Sequence, residues 1–131
     1  MADLSKEDAA RLKQALLQRQ QQLIEEIRDE LVRSGEQHYI DLAGRVTDLA
    51  DESVADLLAD LGAAMVDRQV IEMRAIEAAL KRLAAGDFGS CIDCGVDIPL
   101  ARLQAYPTAE RCIDCQSKHE RTYAHEGKPT L

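Results

Sequence analysis

Four cysteines are the residues of this chain whose type and spacing could do chemistry. They form two Cys-x2-Cys pairs, both written Cys-Ile-Asp-Cys, with seventeen residues between the pairs: Cys91 and Cys94, then Cys112 and Cys115. Two residues between thiolates let one tight turn aim both sulfurs at a single ion, so two turns supply a tetrahedral set. The pattern predicts one structural Zn²⁺, whose closed coordination shell leaves no position for activating water.

Dithiol redox chemistry is the alternative use of a Cys-x-x-Cys pair. It needs one such pair on a thioredoxin-like βαβ frame, and this chain shows no βαβ pattern. A module of about 30 residues also has too small a core to fold without a staple. With four cysteines as ligands, His38, His119 and His125 are not needed at the metal. The sequence offers no Ser/His/Asp arrangement or phosphate loop, which predicts a protein that is not an enzyme.

Charge and composition exclude several classes of partner. The 131 residues carry a net charge of −8, with Lys and Arg scattered among acids. Since DNA affinity comes mostly from cations that neutralise phosphates, direct DNA binding is not expected. Three Tyr and one Phe are too few for base stacking and favour helix packing by Leu, Ile and Ala. The chain shows no membrane-spanning run or signal peptide, which predicts a cytosolic location with reduced thiols.

Two long helices are predicted ahead of the cysteines. The first, about 5–33, opens at a Ser5 capping box and ends before Gly35; the second, about 53–85, opens at Ser53 and ends before Gly86. Neither can bury its apolar stripe alone, which favours an antiparallel hairpin packed like a coiled coil in a monomer. Pairing with a second copy is the alternative. The stripes comprise Leu12, Leu16, Leu23, Ile27 and Leu31, then Leu58, Leu61, Met65, Met73, Ile76, Leu80 and Leu83.

The expected organisation is therefore a mainly α chain in three parts. Residues 1–86 are predicted to form the hairpin, with an acidic tip loop at about 34–52. Residues 87–118 are predicted to form the zinc-finger module. Residues 113–131 are predicted to hold a C-terminal helix, to about 125, and a disordered tail.

The stretch "AAGDFGSCIDCGVDIPLARLQAYPTAERCIDC", preceded by such a hairpin, resembles the DksA/TraR family of bacterial transcription regulators. The resemblance rests on Asp-Phe-Gly-x-Cys, on Cys-Gly-x-x-Ile and on Arg-Leu-x-Ala-x-Pro-Thr-Ala, and it covers about residues 8 to 125. It implies a protein that binds RNA polymerase rather than DNA. The hairpin would enter the secondary channel, and its acidic tip would approach the catalytic magnesium region and alter initiation, often with ppGpp.

The resemblance also implies roles for particular residues. Asp48 and Asp51 match the acids of the family's Asp-x-x-Asp-x-Ala tip, whereas Ser53 departs from its alanine. Arg68 matches a residue linked to polymerase contact. Ordinary solvated charge, or acids complementing a helix dipole, is the alternative interpretation of the two aspartates.

The residues at the family's ppGpp-binding positions are unusual in this chain. The family positions that help hold it with basic residues match Ala75, Tyr106 and Gln116 here, and none is basic. A tetra-anionic guanosine needs cations or oriented donors, so the sequence predicts a weak response or none.

Two further functions stay open at this point. One is a zinc-stapled coiled-coil adaptor with a different partner, which competition with a secondary-channel protein for polymerase would distinguish. The other is a thiol redox sensor or holdase that releases zinc on oxidation, which peroxide reactivity coupled to zinc release would distinguish.

Overall fold

The computed structural model describes residues 4–48, 54–60, 62 and 64–127. This part of the chain confirms the mainly α prediction, and its one β pairing is an isolated antiparallel bridge between Ser90 and Asp97. None of the described helices is both long enough and apolar enough to span a membrane. The helices are α1 Lys6–Arg33, α2 Gln37–Asp48, α3 Val54–Asp60, a 3-10 turn Ala64–Val66, α4 Asp67–Ala85, α5 Leu100–Ala105 and α6 Ile113–Gly127.

These elements form two compact units. The helical unit is Gln14–Ala78, and the cysteine unit combines Met1–Lys13 with Ala79–Leu131. The division into 1–86, 87–118 and 113–131 stays a prediction.

Helix α1 begins and ends where local chemistry predicts. The Ser5 hydroxyl accepts a hydrogen bond from the Asp8 amide at 3.0 Å, which satisfies a donor at the open end of the helix. After Arg33 the chain reaches Gly35, whose φ of +73° suits glycine and stops the helix. The whole predicted stripe of this helix is buried: Leu12, Leu16, Leu23, Ile27 and Leu31.

Helix α2 replaces most of the predicted tip loop. The acidic stretch 34–52 was expected to be irregular, but Gln37–Asp48 is helical. The physical reason is a small apolar face: Leu42, Ala43 and Val46 are buried, while Asp41 stays exposed. Residues 49–53, which hold the rest of the predicted tip, lie outside the described part of the chain.

The second predicted helix is interrupted. Expected as one element over 53–85, it is α3, a 3-10 turn and α4, and Gly62 between them has a φ of +64°. At the break, the buried position lies one residue later than predicted, whereas Met73 and Ile76 beyond it are buried as predicted. Val66 is fully buried, whereas Met65, which was predicted to lie in the stripe, is 41% exposed.

Helices α1 and α4 pair within the helical unit to form the predicted hairpin. Arg19 on α1 donates two hydrogen bonds to the Glu72 carboxylate on α4, at 2.6 and 2.8 Å. Both side chains are about two-fifths exposed (39% and 40%), so solvent screens the pair and its net contribution is at most about 1 kcal/mol. Burial of the apolar stripes therefore dominates the stability of this unit.

Two isoleucines on α4 test this interpretation. Ile76 is 1% exposed and Ile71 is 70% exposed. We expect Ile76→Ala to lower the free energy of unfolding by about 2–5 kcal/mol, because it leaves a cavity in the core. The matched control Ile71→Ala gains the same helix propensity and should shift it by less than about 0.5 kcal/mol. Urea denaturation of the zinc-loaded protein measures both, and equal losses would contradict the described packing.

Candidate metal centre

The first cysteine pair lies in a turn closed by the backbone. The Gly95 amide donates to the Cys91 carbonyl at 2.9 Å, and the Cys91 amide donates to the Val96 carbonyl at 2.8 Å. Gly95 has a φ of +78°, a conformation that costs glycine little. The tight turn predicted from Cys-x2-Cys is thus formed by residues 91–96.

Helix α4 delivers the chain to this turn through a glycine cap. The Gly86 amide donates to the Leu83 carbonyl and the Asp87 amide to the Arg82 carbonyl, at 3.3 and 2.9 Å. This pair of bonds is a Schellman motif, and the Gly86 φ of +79° fits it. Phe88 is then buried, which anchors the approach to the first pair.

The second pair lies at the start of α6. The Gln116 amide donates to the Cys112 carbonyl at 2.9 Å, and the Cys115 amide lies 3.4 Å from the Cys112 sulfur. The Cys112 sulfur thus accepts a hydrogen bond from one of the amides that a helix leaves unpaired at its N-terminus.

The structure brings all four sulfurs together. The Sγ atoms of Cys91, Cys94, Cys112 and Cys115 all lie within 4.8 Å of one another. The Cys94 and Cys112 sulfurs are 3.8 Å apart, which matches the edge of about 3.8 Å that four Zn–S bonds of about 2.3 Å would give a tetrahedron. The four cysteines are therefore positioned to bind one Zn²⁺, and the ion would hold the two turns together.

Without a metal, the cysteines titrate very differently. Burial raises the pKa of Cys91, but backbone hydrogen bonds from Cys112, Cys94 and Asp93 to its sulfur outweigh burial and lower this pKa to about 6. The hydrogen bond with the Cys112 sulfur raises the pKa of Cys115 to about 12. In this geometry the Cys91 thiol therefore loses its proton more readily than the Cys115 thiol, and zinc binding must remove the proton of Cys115.

Charged side chains near the cysteines were not predicted from the sequence. Arg111 directly precedes the second pair and is bonded to Asp93 inside the first pair, at 2.8 Å. Burial alone would lower the pKa of Arg111, but the hydrogen bond and charge of Asp93 raise it above its ordinary value. The sequence signal that could have predicted this ion pair was a basic residue next to the second Cys-x2-Cys pair and an acidic residue within the first.

The remaining predicted site residues belong to the helical unit or lie outside the described part of the chain. Arg68 is exposed on α4. Asp48 is the last residue of α2, but its side chain lies outside the described part, as do Asp51 and Ser53 altogether. Within the described ranges, the four cysteines form the group of His, Cys, Asp and Glu side chains that could hold a metal, so neither His38 nor His119 joins it.

The cysteine unit matches a known zinc-finger family. Residues 86–121 match the model of the prokaryotic dksA/traR C4-type zinc finger. The chain is also similar to the RNA polymerase-binding transcription factor DksA of Escherichia coli K12, with 37% identity over 95 residues, a longer stretch than the zinc-finger match. The cysteine unit contains a zinc finger of the dksA/traR family.

The extent of the match differs among dksA/traR relatives. The aligned region is 72% of this chain but 62% of the E. coli protein, so the chain spans less than two thirds of that curated relative. Among solved structures, transcription factor DksA2 from Pseudomonas aeruginosa aligns with a TM-score of 0.61 and 26% identity, covering 92% of this chain and 89% of the other. The Dks structure from Chlamydia trachomatis L2 gives 0.55 and 22%, covering 92% and 95%, and supports the fold alone.

The metal centre gives a prediction for proton release. Zinc binds thiolates, so every cysteine protonated in the metal-free protein loses a proton on binding. With a pKa of about 6, Cys91 contributes such a proton at pH 5 but almost none at pH 7.5. We therefore expect zinc binding to release about one more proton at pH 5 than at pH 7.5.

Calorimetry in buffers of different ionisation enthalpy measures this number. The apparent zinc affinity should rise with pH, and its slope should be steeper below about pH 6 than above it. Equal proton release at both pH values would show that the hydrogen bonds that lower the Cys91 pKa are not formed in the metal-free protein.

Proposed function

We propose that this chain is a transcription regulator that binds RNA polymerase through the secondary channel, with the acidic hairpin tip modulating initiation. The observation that carries the proposal is the alignment with a protein named an RNA polymerase-binding transcription factor. Its 95 residues extend well beyond the zinc finger at 86–121, so the similarity reaches into the helices. The relative's partner is thus inferred for this chain from more than a shared metal module.

The surface of α4 supports a protein partner. Arg68 and Ile71 are exposed on this helix, Ile71 to 70%, and Met65 in the 3-10 turn just before it is 41% exposed. An arginine among exposed apolar side chains is a composition enriched in protein interfaces. With a net charge of −8, the chain is poorly suited to a DNA backbone. We therefore assign Arg68 to polymerase contact and expect no direct sequence-specific DNA binding.

The proposal is tested by competition for polymerase. Purified zinc-loaded protein is titrated onto core RNA polymerase, with and without a known secondary-channel protein. Mutually exclusive binding is expected. Binding that ignores the competitor, or no binding, would overturn the proposal and favour the zinc-stapled adaptor with a different partner.

Variants in the same assay separate binding from effect. Arg68→Ala should weaken binding by at least about fivefold, whereas the exposed Arg28→Ala on α1 should not. Combined Asp48→Asn and Asp51→Asn should leave binding within about threefold but reduce the effect on initiation, because these carboxylates would act near the catalytic magnesium. The exposed Asp60→Asn on α3 is the control for loss of a carboxylate.

Weak dependence on ppGpp is the second part of the proposal. Tyr106 and Gln116 line a surface pocket of about 270 Å³, together with Arg102 and Glu120. The Gln116 amide donates to the Glu120 carboxylate at 3.0 Å, and the Arg102 guanidinium donates to the Arg111 carbonyl at 3.2 Å. The carboxylate repels phosphate, and the guanidinium already uses its Nε–H inside the protein, so the pocket is poorly suited to a phosphate-rich ligand.

The corresponding measurement is transcription from a responsive promoter with and without ppGpp. We expect ppGpp to add less than about twofold to the effect of the protein, because the pocket offers few free cations. The combined Tyr106→Arg and Gln116→Lys variant, which supplies two, should gain sensitivity. A several-fold enhancement of the unchanged protein, beyond ppGpp alone, would contradict this part of the proposal and leave polymerase binding intact.

A further inference from the structure

The two copies of Cys-Ile-Asp-Cys have different surroundings. In the first copy, the Asp93 carboxylate accepts a hydrogen bond from Arg111 Nε at 2.8 Å. In the second, Asp114 occupies the equivalent position but is exposed in the first turn of α6. One tetrapeptide therefore places the same acid once inside an ion pair and once on a solvated helix end.

Arg111 is held from several directions. Its Nη1 donates to the Glu110 carboxylate at 3.0 Å, and its backbone carbonyl accepts from Arg102 at 3.2 Å. Its side chain is 14% exposed, compared with 46% for Asp93. A largely buried guanidinium that loses its carboxylate partner is costly, so this pair is a stronger constraint than a solvated surface pair.

The pair joins two segments that are distant in sequence. Asp93 lies between the cysteines of the first turn, and Arg111 is bonded directly to Cys112 of the second. The Ile92 amide also donates to the Glu110 carbonyl at 2.9 Å, so backbone and side chains connect the same two turns. On its other side, Glu110 lies 3.8 Å from Arg82 near the end of α4.

Four thiolates that are brought together repel one another, because every deprotonation adds a negative charge to a small volume. A cation fixed between the turns counters this repulsion and limits the separation of the two pairs. Partners outside the coordination shell commonly orient metal ligands in this manner, and their loss typically costs about 10- to 100-fold in metal affinity.

We propose that Arg111 is a positioning residue for the metal centre. Through Asp93 it ties the two Cys-x2-Cys turns to each other, keeps the four sulfurs assembled and retards zinc loss. This role is independent of polymerase binding, since it concerns only the cysteine unit and its zinc.

The test compares zinc affinity and zinc release among matched variants of the full chain. Competition with a chromophoric chelator gives the affinity, and transfer of zinc to excess chelator gives the rate. We expect Arg111→Leu to lower the affinity about 10- to 100-fold and Asp93→Asn about 10-fold, with faster release in both. Asp114→Asn removes the same charge from the same tetrapeptide and should change the affinity by less than about threefold.

Two further variants distinguish positioning from general destabilisation. Arg111→Lys keeps the charge but not the forked geometry, so it should restore part of the affinity lost in Arg111→Leu. The double variant of Arg111→Leu with Asp93→Asn should lose little more than Arg111→Leu alone, because both changes break one interaction. Circular dichroism of the zinc-loaded forms checks that helix content is unchanged.

Several results would overturn the proposal. Equal effects of Asp93→Asn and Asp114→Asn would mean that acidity near the thiolates matters and the pair does not. Additive losses in the double variant, or parental affinity in Arg111→Leu, would likewise exclude Arg111 as the link between the turns.

Discussion

The requirement that most constrains the cysteine unit is that four sulfurs from two separate turns meet within 4.8 Å. The buried apolar side chains that share this task are few: among the side chains described after α4, and apart from Cys91 itself, they are Phe88, Ile98, Leu103 and Ala109. So small a core supplies little of the free energy of folding, and the metal must supply the rest. The Gly86 cap, the positive φ of Gly95 and the start of α6 after Cys112 can each be understood as placing sulfurs.

The helical unit depends on different chemistry. Its stability comes from apolar stripes on α1 and α4, and its best-formed ion pair is too exposed to add much. The break at Gly62 is compatible with this apolar packing because buried residues resume at Val66, directly after the break. The stability of the cysteine unit therefore depends on its thiols and its metal, whereas the stability of the helical unit depends on apolar burial.

The features that could be predicted from the sequence are those that depend on interactions between residues close together in the chain. The Ser5 cap, the glycine stops at Gly35 and Gly86 and the spacing of the cysteines depend on residues a few positions apart, and the sequence displays them. Helix α2 was missed although Leu42, Ala43 and Val46 show helical spacing, because the surrounding acids suggested a loop. The burial of Val66 in place of Met65 was not predictable in this way, because it follows a break in the helix at Gly62. The pairing of Asp93 with Arg111 was not predictable either, because the fold joins two positions that are eighteen residues apart.

The distribution of cations connects the metal centre to the question of ligands. Within the cysteine unit, three guanidiniums make internal contacts. Arg82 lies against Glu110, Arg111 bonds Glu110 and Asp93, and Arg102 bonds the Arg111 carbonyl while its guanidinium lies 5.8 Å from the centre of the Tyr106 ring. Each such contact reduces the capacity of that cation to hold a phosphate-rich ligand. Of these three residues, Arg102 lines the neighbouring pocket. Its bond to the Arg111 carbonyl therefore draws one donor of that guanidinium away from an anion in the pocket and towards the segment that carries Arg111.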